Sequence, residues 1–288
     1  MTSRLRPDQS SIPATSAALS RNNQHVQRLR RLTGRRDARL AEGCVVVEGA
    51  KVLGEALDAE RPIQAVFVVE GTSDPVVARV AANGVTIHVL CAGVLERVGD
   101  AVTPQPIAAI VEWEASELTG LRPSMAAGGF VLVGVDVRDP GNVGTLIRSA
   151  EAAGAVGVIL SGTSVDVTSP KVVRSSAGGL FHVPIVVAAV STTDVAATLR
   201  SWGVCVWATA VRPGLTVDYD RADLTGPTAI IVGNEAHGLG ARELAAVDAL
   251  LTIPMQGRSE SLNVGVAGSI LAFESSRQRR ARRADSSQ

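Results

Sequence analysis

The chain has 288 residues, with hydrophobic residues at 46%, charged residues at 19% and aromatic residues at only 3%. That balance excludes a disordered or fibrous chain and calls for an aliphatic core built on alanine, valine, leucine and isoleucine. Basic and acidic residues number 28 each, yet residues 1–40 carry +7, residues 277–288 carry +4, and the stretch between carries −11.

Two basic ends therefore flank an acidic body. Basic arms attract phosphate backbones, although solvated tails have the same composition. The cysteines Cys44, Cys91 and Cys205 are odd in number and far apart, and no CxxC pair occurs. This pattern points to a reducing compartment, with neither a disulfide framework nor a zinc site. The first 20 residues lack the apolar stretch of a signal peptide, and no run of about 18 apolar residues occurs. A cytoplasmic protein is expected.

Residues 1–20, rich in Ser, Pro and Thr, read as a disordered tail. Residues 22–42 read as a basic helix, with Arg28, Arg30, Arg31, Arg35, Arg36 and Arg39 among Val26, Leu29, Leu32 and Leu40. Strand and helix then alternate. Strands are expected at 45–48, 63–69, 85–90 and 107–111, and helices at 50–59, 76–82 and 93–98. A small α/β domain over 21–113 is the result. Residues 114–128 lose the periodicity, contain Gly120, Pro123 and Gly128, and read as a linker. A second α/β block covers 129–275, with strands expected at 130–135, 156–160, 183–187, 204–208, 229–232 and 250–253. Most of these are continuous apolar runs, as in parallel strands covered on both faces. A basic C-terminal tail, 276–288, closes the chain.

Three segments of the second block each follow a strand, where the ligand crevice of an open parallel sheet lies. The first is DPGNVGTLIRSAEAAG, 139–154. Asp139, Pro140 and Gly141 make a turn, and Asn142 is placed to cap the helix that follows. Val143, Leu146, Ile147 and Ala150 form its apolar stripe, while Asn142, Thr145 and Arg148 form a slanted polar ridge beside it. Such a ridge at a helix start can hold a phosphate or a ribose, and an ordinary capped helix has the same pattern. The second segment is IIVGNEAHGLG, 230–240. Gly233 allows close backbone approach by a flat ligand, and Glu235 can accept hydrogen bonds from a ribose or an amine. The third is IPMQGRSESLNVGVAGSILAFE, 253–274. A polar loop carrying Ser259, Ser261 and Asn263 leads into a helix that is apolar almost all round, so the helix is buried or sits in an interface.

No GxGxxG follows any strand, and no P-loop is present. This argues against a nicotinamide enzyme and against the common dinucleotide-type methyltransferase sheet. The histidines His25, His88, His182 and His237 are too scattered for a metal site.

Taken in order, the three segments resemble the three signature motifs of the SpoU family, within the SPOUT superfamily of methyltransferases, over about residues 130–275. The part at 22–112 is similar to the smaller RNA-recruiting domain that precedes many such catalytic domains. The stretch from Arg39 to Leu57, with Val47-Glu48-Gly49-Ala50-Lys51, matches its opening, and Thr103-Pro104-Gln105-Pro106 its close. The resemblance implies an α/β fold, with a SPOUT-type parallel sheet between helix layers and a deep trefoil knot near the C-terminus. It also implies a homodimer with the cofactor site near the interface. The implied reaction is S-adenosylmethionine-dependent 2'-O-methylation of a ribose in structured RNA, 23S ribosomal RNA preferred. A transfer RNA enzyme and a non-catalytic RNA-binding assembly factor are the alternatives.

Carried over position by position, Gly233, Ile253 and Leu262 match backbone positions around the cofactor's adenosine, with Thr209, Asn234 and Met255 nearby. Asn142, Arg148, Glu235, Ser261 and Asn263 match the catalytic cluster. Arg174 matches a basic position serving RNA or the dimer, and Arg28, Arg31, Arg35, Arg36 and Arg39 are candidate RNA contacts. A guanidinium does not ordinarily lose its proton. Either an RNA phosphate helps Arg148 to shed one, or Arg148 stays charged and stabilises the forming alkoxide.

Overall fold

The computed structural model describes residues 18–99, 104–210, 214–234 and 238–285. The chain divides into two units, Met1–Glu112 and Trp113–Gln288.

In the first unit the basic segment makes two helices, α1 (Gln24–Gly34) and α2 (Arg36–Glu42), and not one. Asn23 caps α1 through its side chain, which accepts from His25 N, and Arg35 breaks the run by turning extended. Then follow β1 (Cys44–Glu48), α3 (Ala50–Asp58), β2 (Ile63–Val69), α4 (Pro75–Ala82), β3 (Ile87–Leu90), a 3-10 turn at Leu95–Arg97, and β4 (Ile107–Glu112). The sheet runs β1-β4-β2-β3, with β4 antiparallel to both neighbours and β2 parallel to β3. Val26, Leu29 and Leu32 of α1 are buried with Val46, Phe67 and Ile110 of the sheet. Each such side chain contributes about 1.5–3 kcal/mol on burial. Leu40, expected beside them, is 55% exposed.

The expected tail is shorter than 1–20. Leu19 lies in a parallel bridge with Leu90, its N–H donating to Val89 O at 2.7 Å and its carbonyl accepting from Cys91 N at 3.1 Å. Residues 1–17 of that tail, and Thr103 of the closing TPQP, lie outside the described residues.

The second unit opens inside the expected linker. A 3-10 turn at Leu118–Leu121 and α5 (Arg122–Ala126) put Leu121 and Met125 into the core beside Val131 and Val133. Trp113 Nε1 donates to Leu180 O at 3.3 Å, and Ser116 N to Ile185 O at 2.7 Å. The glycine and proline that erase periodicity here shape a tight turn and a helix start.

Next come β5 (Phe130–Val135), α6 (Pro140–Ala153), β6 (Gly157–Ser161), α7 (Pro170–Ser175), α8 (Gly179–His182), β7 (Ile185–Val187) and α9 (Thr192–Ser201). They are followed by β8 (Cys205–Thr209), β9 (Val217–Asp218), β10 (Thr228–Val232), α10 (Ala241–Ala245), β11 (Ala249–Thr252) and α11 (Val264–Asp285). The sheet is parallel throughout, in the order β7-β6-β5-β10-β8-β11-β9. Every residue of β5, β6 and β10 is buried, the condition their unbroken apolar runs require. After β9 at one edge the chain returns to insert β10 between β5 and β8, and then β11 between β8 and β9. Among the described residues of this unit, the short edge strand β9 is the one strand that had no sequence signal.

The segment 276–288, read as a tail, continues α11 as far as Asp285. Its arginines are largely occupied. Arg279 is half-buried over the Phe130 ring, 5.1 Å from the centroid, and donates to the carbonyls of Gly128 and Gly226. Arg277 pairs with Glu274 at 2.7 Å and holds that carboxyl below the usual range. Arg282 donates to Thr225 Oγ1 at 2.8 Å. No helix of the described residues is long and apolar enough to cross a membrane.

Candidate active site

The elements that carry the three motifs meet through α6 and α11. Asp139, not Asn142, caps α6, because its carboxylate accepts from Asn142 N at 2.8 Å and Pro140 fills the first helical position. Asn142, one turn in, is thereby free of capping duty. Its Oδ1 accepts from Asn263 Nδ2 at 2.9 Å. Asn263 in turn caps α11, its Oδ1 accepting from Val266 N at 3.2 Å. The first and third motifs, 121 residues apart, thus share a hydrogen bond.

Small residues allow this approach. A side chain at Gly265 would lie 3.1 Å from Thr145, and one at Gly268 would overlap Leu146. Further along, Ser149 and Ser269 hydroxyls meet at 2.7 Å. On the other flank of α6, Gly144 admits Ser175 of α7, whose hydroxyl donates to Pro140 O and Lys171 O. Gly179 admits the backbone of Arg148. Arg148 stands exposed on α6, about 9 Å along the axis from Asn142. Among the described residues its side chain makes no hydrogen bond or ion pair. Ser261 is exposed two residues before Asn263, and Arg174 is half-buried on α7. Glu235 lies outside the described residues.

Five of the six expected cofactor residues lie at or shortly after the carboxyl ends of three adjacent strands. Thr209 ends β8, Gly233 and Asn234 follow β10, and Ile253 and Met255 follow β11. Leu262 lies near the end of the loop after β11, just before Asn263. Thr209 Oγ1 donates to Ile231 O at 3.3 Å, tying β8 to β10. Gly233 is needed for a different approach from the one expected: a side chain there would strike the chain's own backbone at Gly238, 2.7 Å away. The loop closes on itself, Gly238 N donating to Asn234 O at 2.9 Å. Ile253, Met255 and Leu262 are each only partly covered. A set of backbone groups and half-open apolar side chains fits a flat, neutral adenine ring.

In the first unit, Arg28, Arg30, Arg31 and Arg35 line an open groove along α1. Arg28 bonds Glu42 at 2.6 Å and Gln64, and Arg31 pairs with Glu42 as well. Arg36 is exposed. Arg39 does not belong to an RNA-facing set: it is 4% exposed and donates to Leu32 O and Thr33 O at the end of α1. Its role there is to satisfy carbonyls that a helix end leaves without partners.

Sequence reasoning passed over the loop after β6, Gly162–Ser164, which meets the same strand ends as the motifs. A glycine followed by two hydroxyl residues directly after an apolar strand was the available signal.

Comparison with known proteins finds relatives of both units. Residues 129–273 match the SpoU rRNA Methylase family, and residues 23–109 match the MRM3-like substrate binding domain. The chain is 32% identical to the 23S rRNA (guanosine(2553)-2'-O)-methyltransferase RlmP of Bacillus subtilis, over 88% of this chain and 96% of that one. It superposes on the AdoMet-bound rRNA methyltransferase from Sinorhizobium meliloti with a TM-score of 0.78 at 34% identity, covering 90% and 96%. It also superposes on the SpoU methyltransferase AviRb from Streptomyces viridochromogenes, in complex with AdoMet, with a TM-score of 0.77 at 28% identity, covering 90% and 100%.

Proposed function

The chain belongs to the SpoU rRNA Methylase family, and on that premise we propose that it methylates a ribose 2'-hydroxyl of 23S ribosomal RNA, using S-adenosylmethionine. The observation that carries the reading is the Asn142–Asn263 hydrogen bond, which assembles two motifs into one polar mouth beside the strand ends suited to adenosine. The cofactor supplies an electrophilic methyl group when bound. The task left to the chain is alignment, which is worth about 7–11 kcal/mol when the reacting atoms are well placed. Asn142, Asn263 and Ser261 hold the ribose and its phosphate. Arg148 and Glu235 complete the cluster, with Arg148 stabilising the oxygen as its proton leaves. Gly233, Asn234, Ile253 and Leu262 surround the adenosine, with Thr209 and Met255 beside them.

The protein acts as a homodimer in the cytoplasm. Support for the dimer comes from α11, where Val266, Ile270 and Phe273 form a stripe, the first and last of them 45% and 47% exposed. The insertion of β10 into the centre of the sheet after β9 supports a knotted path near the C-terminus. The exposed Arg31, Arg35 and Arg36 support RNA recruitment by the first unit, and Arg174 serves RNA or the dimer. A ribosomal substrate is favoured over transfer RNA by the match, over 88% of this chain and 96% of the relative, to a 23S rRNA enzyme.

The test is to map ribose methylations in ribosomal and transfer RNA from cells with and without the gene, together with methyl transfer by the purified protein. One site missing from 23S ribosomal RNA is the expected result. A site missing from transfer RNA instead would overturn the substrate, and no missing site with no transfer would support the non-catalytic alternative.

A further inference from the structure

At the carboxyl end of β5, Asp136 joins three loops at once. Its carboxylate Oδ1 accepts from Thr163 N at 2.6 Å and from Thr163 Oγ1 at 2.8 Å, in the loop after β6. Its main-chain carbonyl accepts from the Asn234 side chain, Nδ2, at 2.9 Å, in the loop after β10. Its own N–H donates to Ser161 O at 3.1 Å. Val137 continues the seam: its N–H donates to Ser164 Oγ at 3.2 Å, and its carbonyl accepts from Val165 N at 2.9 Å. Three residues after Asp136, Asp139 caps the helix that carries Asn142 and Arg148.

Asp136 has φ +52°, in the left-handed region that non-glycine residues rarely occupy. Gly162, packed against it, also has positive φ, and any side chain there would collide with the Asp136 carboxylate. Strain of this kind persists only where the surroundings over-determine it, and it clusters at functional sites. The strain has a use here. The strand pairing sets Val232 beside Gly134, so that Asn234 comes level with Asp136. The left-handed turn keeps the Asp136 carbonyl on the Asn234 amide.

We propose that Asp136 is a positioning residue for cofactor binding: its carboxylate, clamped by Thr163, holds the left-handed turn that fixes Asn234 at the adenosine site. The inference rests on the reading of Asn234 as a cofactor-site residue. Asp136 itself touches no reacting atom.

Three substitutions separate the contributions. Asp136→Asn keeps both the acceptor and ease in the left-handed region. Asp136→Gly keeps the backbone but loses the acceptor. Asp136→Ala loses both. S-adenosylmethionine affinity is measured by calorimetry on each folded protein, alongside Asn234→Ala. The expected order is wild type close to Asn, then Gly, then Ala, with Ala weakened about tenfold or more and Gly by a smaller factor. The KM for the cofactor rises in step, while kcat at saturating cofactor stays within about threefold, because the α6 and α11 asparagines are untouched. Should Asn234→Ala lose affinity while Asp136→Gly and Asp136→Ala keep it, the inference is overturned and the site reading stands. Unchanged affinity in Asn234→Ala overturns the site reading itself. Should Asp136→Ala fail to fold, Asp136→Gly against Asp136→Asn decides, and equal affinity in that pair also overturns the proposal.

Discussion

The Arg148 side chain has no hydrogen-bond partner among the described residues, on a helix whose Asn142 and Ser149 side chains are tied to α11. An exposed guanidinium with no structural partner can be removed at little cost to the fold. Arg148→Ala is therefore expected to leave melting temperature and S-adenosylmethionine affinity nearly unchanged while lowering kcat by about 10²–10³, the scale for loss of a group that stabilises developing charge. Single-turnover methyl transfer measures it, and near-normal turnover would remove Arg148 from the mechanism. The residue types at 142, 148 and 263 were legible because the motif pattern survives in a single chain. The Asn142–Asn263 bond was not, since nothing in either segment encodes its partner 121 residues away.

At the level of elements, α11 shows how far composition can mislead. Five arginines near the end of a chain read as a solvated arm, yet Arg277, Arg279, Arg280 and Arg282 all hydrogen-bond to the protein. The guanidinium of Arg279 serves the carbonyls of Gly128 and Gly226 and covers Phe130, joining the helix to the amino ends of β5 and β10. Arg279→Ala is expected to leave those carbonyls without partners and to cost about 1–3 kcal/mol, read as a lower denaturation midpoint with catalytic parameters preserved. The stretch 114–128 misleads in the same way: proline and glycine mark a break in periodicity, and the break proves to be a turn whose Leu121 and Met125 are fully inside. Strand interiors were the most legible elements, since unbroken apolar runs such as Phe130–Val135 have few alternatives.

For the molecule as a whole, the stripe of Val266, Ile270 and Phe273, exposed at its two ends, leads to a test of assembly. The purified chain is expected to scatter light as twice the chain mass, and Phe273→Glu as a single chain with much reduced methyl transfer. A monomeric wild type with full activity would end the dimer reading. The first unit is expected to show its own pH dependence. His88 stacks on His25 at 4.3 Å, with Phe67 at 5.1 Å. Burial first, and then the neighbouring His25, hold the His88 imidazole below its ordinary value. A group that binds protons less readily when folded favours the folded state while neutral. The stability it confers is therefore complete above about pH 6.5 and is lost as the pH falls from there through the lower folded value. Melting temperature against pH should fall on that side in wild type and fall less in His88→Phe, which keeps the ring stack without the proton.

The sequence by itself determined the alternation of strand and helix, the parallel character of the second sheet and the residue types of the three motifs, because burial on two faces and helix starts leave local marks. Tertiary structure alone decided the strand order, with β10 set between β5 and β8, and it decided which glycines serve helix contact and which serve a loop. It also revealed Asp136 as the junction of three loops. These features depend on pairings between distant segments, and a pairing leaves no periodic trace in either partner. A left-handed aspartate likewise cannot be read from its residue type, since the strain at Asp136 is held by Thr163 and Asn234 and not by its neighbours in the chain.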